Sequence, residues 1–134
     1  MSAKDRDNSS NASPTLSVVI CTRDRPELLA RCLDSLTPAL DPADDVLVVD
    51  NAPSSQATQR LVQSRPPNRP PIRYVLEPRP GLDIARNRGI RESKGALVVY
   101  CDDDVIVEAS WLRRLKAASR APKRPCQQAA AQSA

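Results

Sequence analysis

A chain of 134 residues is long enough for one domain with a buried core. It has no histidine, the commonest acid–base side chain near neutral pH and the commonest metal ligand, so any metal must be held by oxygen or thiolate. The net charge of +4 is unevenly spread, with nine basic and three acidic residues between Arg60 and Lys94, but aromatics are only 2%, too few to stack bases in a single-stranded nucleic-acid binder.

The first segment, residues 1–14, is polar and Ser/Asn-rich with no apolar core, so it is expected to be a disordered leader and not a signal peptide. "LSVVIC" (Leu16–Cys21) is a continuous apolar, β-branched run, as in a strand covered on both faces. In "TRDRPELLARCLDSL", Leu28, Leu29, Cys32, Leu33 and Leu36 recur at helical spacing, and Asp24 with Glu27 predicts a capping box. "DVLVVDN" (Asp45–Asn51) predicts a second buried strand, and Ser54 or Ser55 is expected to cap a short helix through Leu61 and Val62. "SRPPNRPP" is a stiff connection that cannot be helix or central strand.

"IRYVLE" (Ile72–Glu77) predicts a third strand. "PRPG" then leads to a helix over about Leu82–Ser93, expected to close at Gly95. "ALVVYC" is the fourth strand. "SWLRRLKAAS" predicts a last helix, with Ser110 as its cap and Trp111 as a packing anchor. Residues 119–134, a basic and Ala/Gln-rich tail without periodicity, are expected to be disordered. The cysteines, Cys21, Cys32, Cys101 and Cys126, have no zinc-ligand spacing and no C-x-x-C, which points to reduced thiols in a cytoplasmic protein. No segment approaches transmembrane length.

Four alternations of strand and helix predict an α/β fold: a mostly parallel sheet with flanking helices and right-handed crossovers. Ligands in such sheets bind outside the carboxyl ends of the strands. The first strand ends in Thr22-Arg23, the second in Asp50-Asn51 and the fourth in Asp102-Asp103-Asp104. In extended backbone, residues two apart point the same way, so Asp102 and Asp104 can face one ligand while Asp103 points elsewhere. Two converging carboxylates repel unless a cation lies between them, and Mg2+ or Mn2+ would also reach a diphosphate. Capping the next helix would need only one such side chain. Asp50 also suits a turn, Arg86 and Asn87 also suit a solvated helix face, and Gly81 and Gly89 also suit turn and close-packing roles.

The segments "LSVVICTRDRPELLARCLDSL", "VLVVDNAPSS", "YVLEPRPGLDIARNRGI" and "GALVVYCDDDVIVEASWL", in this order and spacing, resemble the family-2 glycosyltransferases over residues 15–118. The resemblance implies a GT-A fold, Rossmann-like and three-layered, that binds a nucleoside-diphosphate sugar, UDP-type favoured, through a divalent metal. It implies that Thr22 and Arg23 flank the base and that Asp50 accepts hydrogen bonds from base or ribose. Arg86 and Asn87 would lie near the nucleotide and its phosphates. Asp102 would approach the ribose, Asp104 would ligate Mg2+ or Mn2+ with Asp102 beside it, and Asp103 would contribute to either. Transfer would go to a hydroxyl of a glycan, lipid or other acceptor, with inversion at the sugar carbon.

In that family the catalytic base follows the D-x-D by many residues. Here thirty residues follow Asp104, and their single carboxylate, Glu108, is too near the D-x-D. The expectation is therefore a nucleotide-sugar-binding part, truncated after the D-x-D strand, with the base outside it and with exposed apolar surface that favours self-association. The basic C-terminal region would allow peripheral association with the inner membrane face. "VVYCDDDVIV" also resembles the opening motif of haloacid-dehalogenase-type phosphatases, but Val105-Ile106 stands where those carry Gly-Thr. A non-catalytic nucleotide- and metal-binding or interaction module is the third reading.

Overall fold

A computed structural model describes residues 15–66 and 70–119. The expected leader, the tail beyond Ser119, Cys126 and residues 67–69 of the proline-rich connection lie outside the described residues. In chain order the elements are β1 (Leu16–Thr22), α1 (Pro26–Leu36), a 3-10 turn (Thr37–Ala39), β2 (Asp45–Asn51), α2 (Ala57–Ser64), β3 (Ile72–Glu77), α3 (Leu82–Glu92), β4 (Leu97–Asp102) and α4 (Ala109–Ser119). The sheet order is β3-β2-β1-β4, and every pairing is parallel. The chain therefore steps outward from β1 to β3 and then crosses back to the far side of β1. That reversal leaves a crevice between the carboxyl ends of β1 and β4, the usual ligand position in such sheets.

The pleat divides each strand between two cores. Val18, Ile20, Val46, Val48, Val99 and Cys101 form one face, covered by Leu29, Cys32, Leu33 and Leu36 of α1 with Val62 of α2 and Leu112 of α4. Val19, Leu47, Val49 and Val75 form the other, covered by α3 through Ala85. Trp111 packs, partly buried, against the first core. The expected three-layer α/β architecture is observed.

Contact between α3 and β1 is close at Gly89, where an added Cβ would lie 2.4 Å from Val19 Cγ1. The valine is branched and enclosed, so it cannot swing aside. Gly89→Ala is expected to destabilise the fold by about 1–3 kcal/mol through overpacking. A urea unfolding midpoint equal to that of the native chain would show slack in this contact.

Local signals misplaced several helix ends. Asp24 is no capping-box residue: it sits at φ +56 outside α1, and its Oδ1 accepts the Ser54 N–H at 2.9 Å. Helix α1 begins at Pro26 with Arg25 in the N-cap position and no side-chain cap, since proline has no N–H to satisfy and its φ is already helical. Helix α2 has Gln56 at its N-cap position, and Ser55 Oγ accepts the Ala57 N–H at 3.2 Å. Ser110 lies inside the first turn of α4 and accepts a hydrogen bond from Arg114. Gly95 is not the cap of α3, which gives way to extended backbone at Ser93. Gly95 instead lets the chain pass β1, where a Cβ would come within 2.7 Å of backbone atoms of Leu16 and Ser17.

At the opposite, amino-terminal edge of the sheet, Asp45 accepts two hydrogen bonds from Arg73 at 2.9 Å, one from Ser17 Oγ at 2.8 Å and one from the Lys94 N–H at 3.1 Å. Burial works against its charge, but these donors outweigh it and hold the carboxyl below the usual aspartate range. A depressed folded-state pKa gives stability that is complete above the unfolded value and is lost as pH falls through the folded one. Unfolding free energy is therefore expected to drop below about pH 4, and less steeply in Asp45→Asn. Equal acid dependence in the two chains would remove Asp45 from this account.

Candidate functional site

The crevice between β1 and β4 is an open cleft of about 590 Å³. The strand ends at Asp102, and a turn over Asp103 and Asp104, with the Val105 N–H donating to the Asp102 carbonyl at 3.4 Å, sorts the three aspartates. Asp102 and Asp104 are exposed and line the cleft, and among the described residues neither side chain has a hydrogen bond or ion pair. Asp103 turns inward, 7% exposed, where Oδ2 accepts the Thr22 hydroxyl at 2.7 Å and Oδ1 accepts from the Arg25 guanidinium at 3.2 Å. Arg25 thus compensates the middle charge and leaves the outer two uncompensated. The bond from Thr22 ties the β4 turn to the end of β1.

Asp50, the penultimate residue of β2, lies on the same sheet face as Thr22, its register partner on β1. It is fully buried: Oδ2 accepts the Tyr74 hydroxyl at 2.5 Å, while Oδ1 has no hydrogen-bond partner among the described residues. Burial, aided by the charge of Asp24 and opposed by Tyr74, pushes its carboxyl above the usual aspartate range.

The neighbouring Asn51 organises the next loop. Its amide donates to the carbonyls of Glu77 at 3.2 Å and Arg79 at 2.7 Å, and its Oδ1 accepts the Gly81 N–H at 3.1 Å. Gly81, at φ +136, takes a conformation that other residues rarely adopt. Asn51 and Gly81 both line the cleft.

On α3, Arg86 is exposed, with its guanidinium 5.5 Å from the centre of the Tyr100 ring. Burial pushes the thiol of the cleft residue Cys21 up to about 11, and the charge of Arg86 acts against that rise. Asn87 is exposed. Arg88 is turned to Glu77 and Glu92, at 3.4 and 3.2 Å.

The cleft therefore gathers Thr22, Arg23, Asp102, Asp103 and Asp104 of the sequence-derived candidates, whereas Asp50, Arg86 and Asn87 stand outside its lining. Sequence reasoning did not single out Arg25 or Asn51. Asn51 adjoins the candidate Asp50, which was the available signal, whereas the partner of Arg25, Asp103, is 78 positions away and left no local signal.

Two unpartnered carboxylates at the edge of an open cleft suit a hard divalent cation, which takes oxygen ligands and keeps positions for water and phosphate. No cluster of three or more metal-ligating side chains occurs among the described residues, so such an ion would draw its remaining ligands from water or the bound molecule. No helix among the described residues is long and apolar enough to cross a membrane.

Residues 17–129 match the family described as Glycosyl transferase family 2. The succinoglycan biosynthesis protein ExoM of Rhizobium meliloti is 36% identical over 116 residues, spanning 82% of this chain and 36% of that protein. The fold is shared with the mannosyltransferase PcManGT of Pyrobaculum calidifontis, solved in complex with GDP-Man and Mn2+. The TM-score is 0.68 at 22% identity, over 87% of this chain and 34% of that one. It is also shared with glucosyl-3-phosphoglycerate synthase of Mycobacterium tuberculosis, solved with Mn2+, uridine-diphosphate and phosphoglyceric acid. There the TM-score is 0.65 at 22% identity, over 85% of this chain and 42% of that one. The chain spans about a third of the length of the curated relatives it matches first. With the match extending over most of its residues, and a parallel sheet of GT-A type beneath it, the chain belongs to glycosyltransferase family 2.

Proposed function

We propose that this chain binds a nucleoside-diphosphate sugar, UDP-type, for transfer of the sugar to an acceptor hydroxyl. The observation that carries the reading is the sorting of the aspartates: Asp103 is locked inward by Thr22 and Arg25, and Asp102 and Asp104 are left unpartnered at the cleft. Asp104, with Asp102, would hold Mg2+ or Mn2+, and Asp102 would also approach the ribose. Thr22 and Arg23 would flank the base, with Asp50 accepting a hydrogen bond from it. Asp103 contributes by fixing the turn, and Arg86 and Asn87 would lie beside the phosphates.

A bound divalent ion would stabilise the negative charge that grows on the departing diphosphate. The protein's own part is to aim the two carboxylates and keep Arg25 on Asp103. Deprotonation of the acceptor, with inversion at the sugar carbon, calls for a carboxylate base. We assign that base, and the acceptor pocket, to the two thirds of the family relatives that this chain does not span. A nucleotide- and metal-binding module without turnover is the second reading. We also propose a cytoplasmic placement with peripheral membrane contact, a reading supported by the six basic residues against one acidic residue after Asp104.

The test is calorimetric titration of UDP into the full chain in Mn2+ and again in EDTA. Saturable binding that needs Mn2+ is expected. A folded sample that binds neither UDP nor other nucleoside diphosphates would overturn the reading.

A further inference from the structure

We propose that Cys32 and Cys101 form a redox modification site, a dithiol that a peroxide closes to a disulfide beneath the aspartate turn. The site itself is independent of nucleotide binding. Its effect on UDP, the second readout below, rests on the reading of Asp102 and Asp104 as the metal pair.

Helix α1 carries Cys32 and strand β4 carries Cys101, 69 positions away, and their sulfurs lie 3.7 Å apart. Both belong to the first core, at 0% and 3% exposure, and both are free thiols. A single buried cysteine is an ordinary small hydrophobe. Two in contact, converging on one further atom, are more than filler. Each sulfur reaches the Asp102 carbonyl oxygen at 3.5 Å as an S–H donor. One helical turn along α1, Ser35 Oγ accepts the Val107 N–H at 2.8 Å and donates to the Cys32 carbonyl at 2.8 Å. Helix α1 thus grips the aspartate turn at both ends, through Cys32 before it and Ser35 after it. Cys21 packs against the other core, on the opposite face of the sheet, and stands apart from the pair.

The chemistry balances with hydrogen peroxide as the oxidant. One sulfur attacks the O–O bond and becomes a sulfenic acid, and the other peroxide oxygen leaves as water. The second sulfur then displaces the new hydroxyl, which leaves as a second water. Two S–H bonds and one O–O bond break, one S–S bond forms, and two electrons pass from the sulfurs to the peroxide. Peroxide is close to water in size. Strand β4 is an edge of the sheet, so a local opening there admits it. Transient disulfides of this kind suit a reducing compartment, where small thiols reopen them by exchange.

Closure draws the sulfurs from 3.7 Å to about 2.05 Å and takes both S–H donors from the Asp102 carbonyl. The end of β4 is pulled against α1, and Asp102 and Asp104 lose their common aim. Mn2+-dependent UDP binding should weaken by about tenfold.

The experiment treats the full chain with stoichiometric hydrogen peroxide, alkylates the remaining thiols and maps tryptic peptides without reductant. Each of the four cysteines falls on its own tryptic peptide, so the map identifies the linkage. The expected product is the Cys32 peptide joined to the Cys101 peptide, with the loss of two hydrogens, and separated again by dithiothreitol. UDP titrated into the same samples in Mn2+ should bind about tenfold more weakly after oxidation and recover in dithiothreitol. In Cys32→Ala and in Cys101→Ala, either of which removes the pair, the same treatment should leave each chain's affinity where it was. Cys32 and Cys101 both alkylated after peroxide would overturn the proposal. So would a joined pair with unchanged UDP affinity, or an equal loss in the alanine chains, which would assign the effect to another thiol. A reduced chain that binds no nucleoside diphosphate overturns the nucleotide reading, and the peptide map then decides the dithiol by itself.

Discussion

Replacing Lys116 by methionine is expected to lower the unfolding free energy by about 3–5 kcal/mol, because it strands a buried carboxylate. Lys116 Nζ donates to both oxygens of Asp44, at 2.9 and 2.8 Å, and to Asp41 at 2.6 Å. Lys116 is 7% exposed and Asp44 5%, so solvent screens the pair little. Asp44 also accepts the N–H groups of Leu16 at 3.0 Å and Asp41 at 2.8 Å. It therefore fastens the start of β1 and the turn before β2 to the far end of α4. Without the ammonium, those two amides would be the donors left to the carboxylate among the described residues.

The double variant Lys116→Met/Asp44→Asn should recover part of the loss, which separates the cost of an orphaned charge from the cost of repacking. Burial disfavours the charged lysine, but the hydrogen bonds to Asp41 and Asp44 outweigh burial and raise its pKa. A raised folded-state value gives stability that is complete below the unfolded pKa and is lost as pH rises through the folded one. The pair's contribution should thus persist to about pH 10 and fade above it. A loss under about 1 kcal/mol in Lys116→Met would show that the pair behaves as an ordinary surface ion pair. The functional interest lies in position: α4 follows the aspartate turn directly, so the clamp holds one side of the turn while β4 holds the other.

Asp104→Ala is expected to weaken Mn2+-dependent UDP binding by about a hundredfold, with unfolding free energy within about 0.5 kcal/mol of the native chain. The residue is exposed and bonds to nothing among the described residues, so its removal leaves no buried group stranded. Asp103→Ala should behave in the opposite sense. It frees the Thr22 hydroxyl and the Arg25 guanidinium from their shared partner, so stability falls and binding weakens indirectly. Neighbouring residues of one type thus separate by role. Equal stability losses in the two variants would contradict the inward and outward sorting of the triplet.

The sheet was legible because its information is local. Four apolar, β-branched runs, each followed by a helical repeat, specify buried parallel strands, and the observed strands lie within a residue or two of those runs. The outcome expected for the D-x-D, Asp102 and Asp104 exposed and Asp103 inward, is observed, but a turn after β4 produces it where the sequence suggested continued extended backbone.

What stayed hidden depends on contacts between distant residues. Asp24 looked like a cap because Glu27 stands three positions on, but its actual partner is Ser54 in another loop. Lys116 was one cation in a basic helix until the fold carried it to Asp44, 72 positions away. Gly95 read as a helix cap because its nearest spatial neighbour, the backbone of β1, is equally remote in sequence. Asp50 was legible as a strand-end carboxylate. Its hydrogen bond from Tyr74 to Oδ2 was not, because the β2–β3 register is what brings that hydroxyl to the carboxylate.

The central claim is that Asp102 and Asp104 together hold a divalent cation against a nucleotide diphosphate. The most direct measurement is an anomalous difference map at the manganese edge, from crystals of the full chain grown with UDP and Mn2+. The account predicts one peak in the cleft, about 2.1 Å from a carboxylate oxygen of Asp104, with Asp102 beside it and diphosphate oxygens completing the shell. UDP bound in the cleft with no peak at these carboxylates, or with manganese elsewhere, would contradict it.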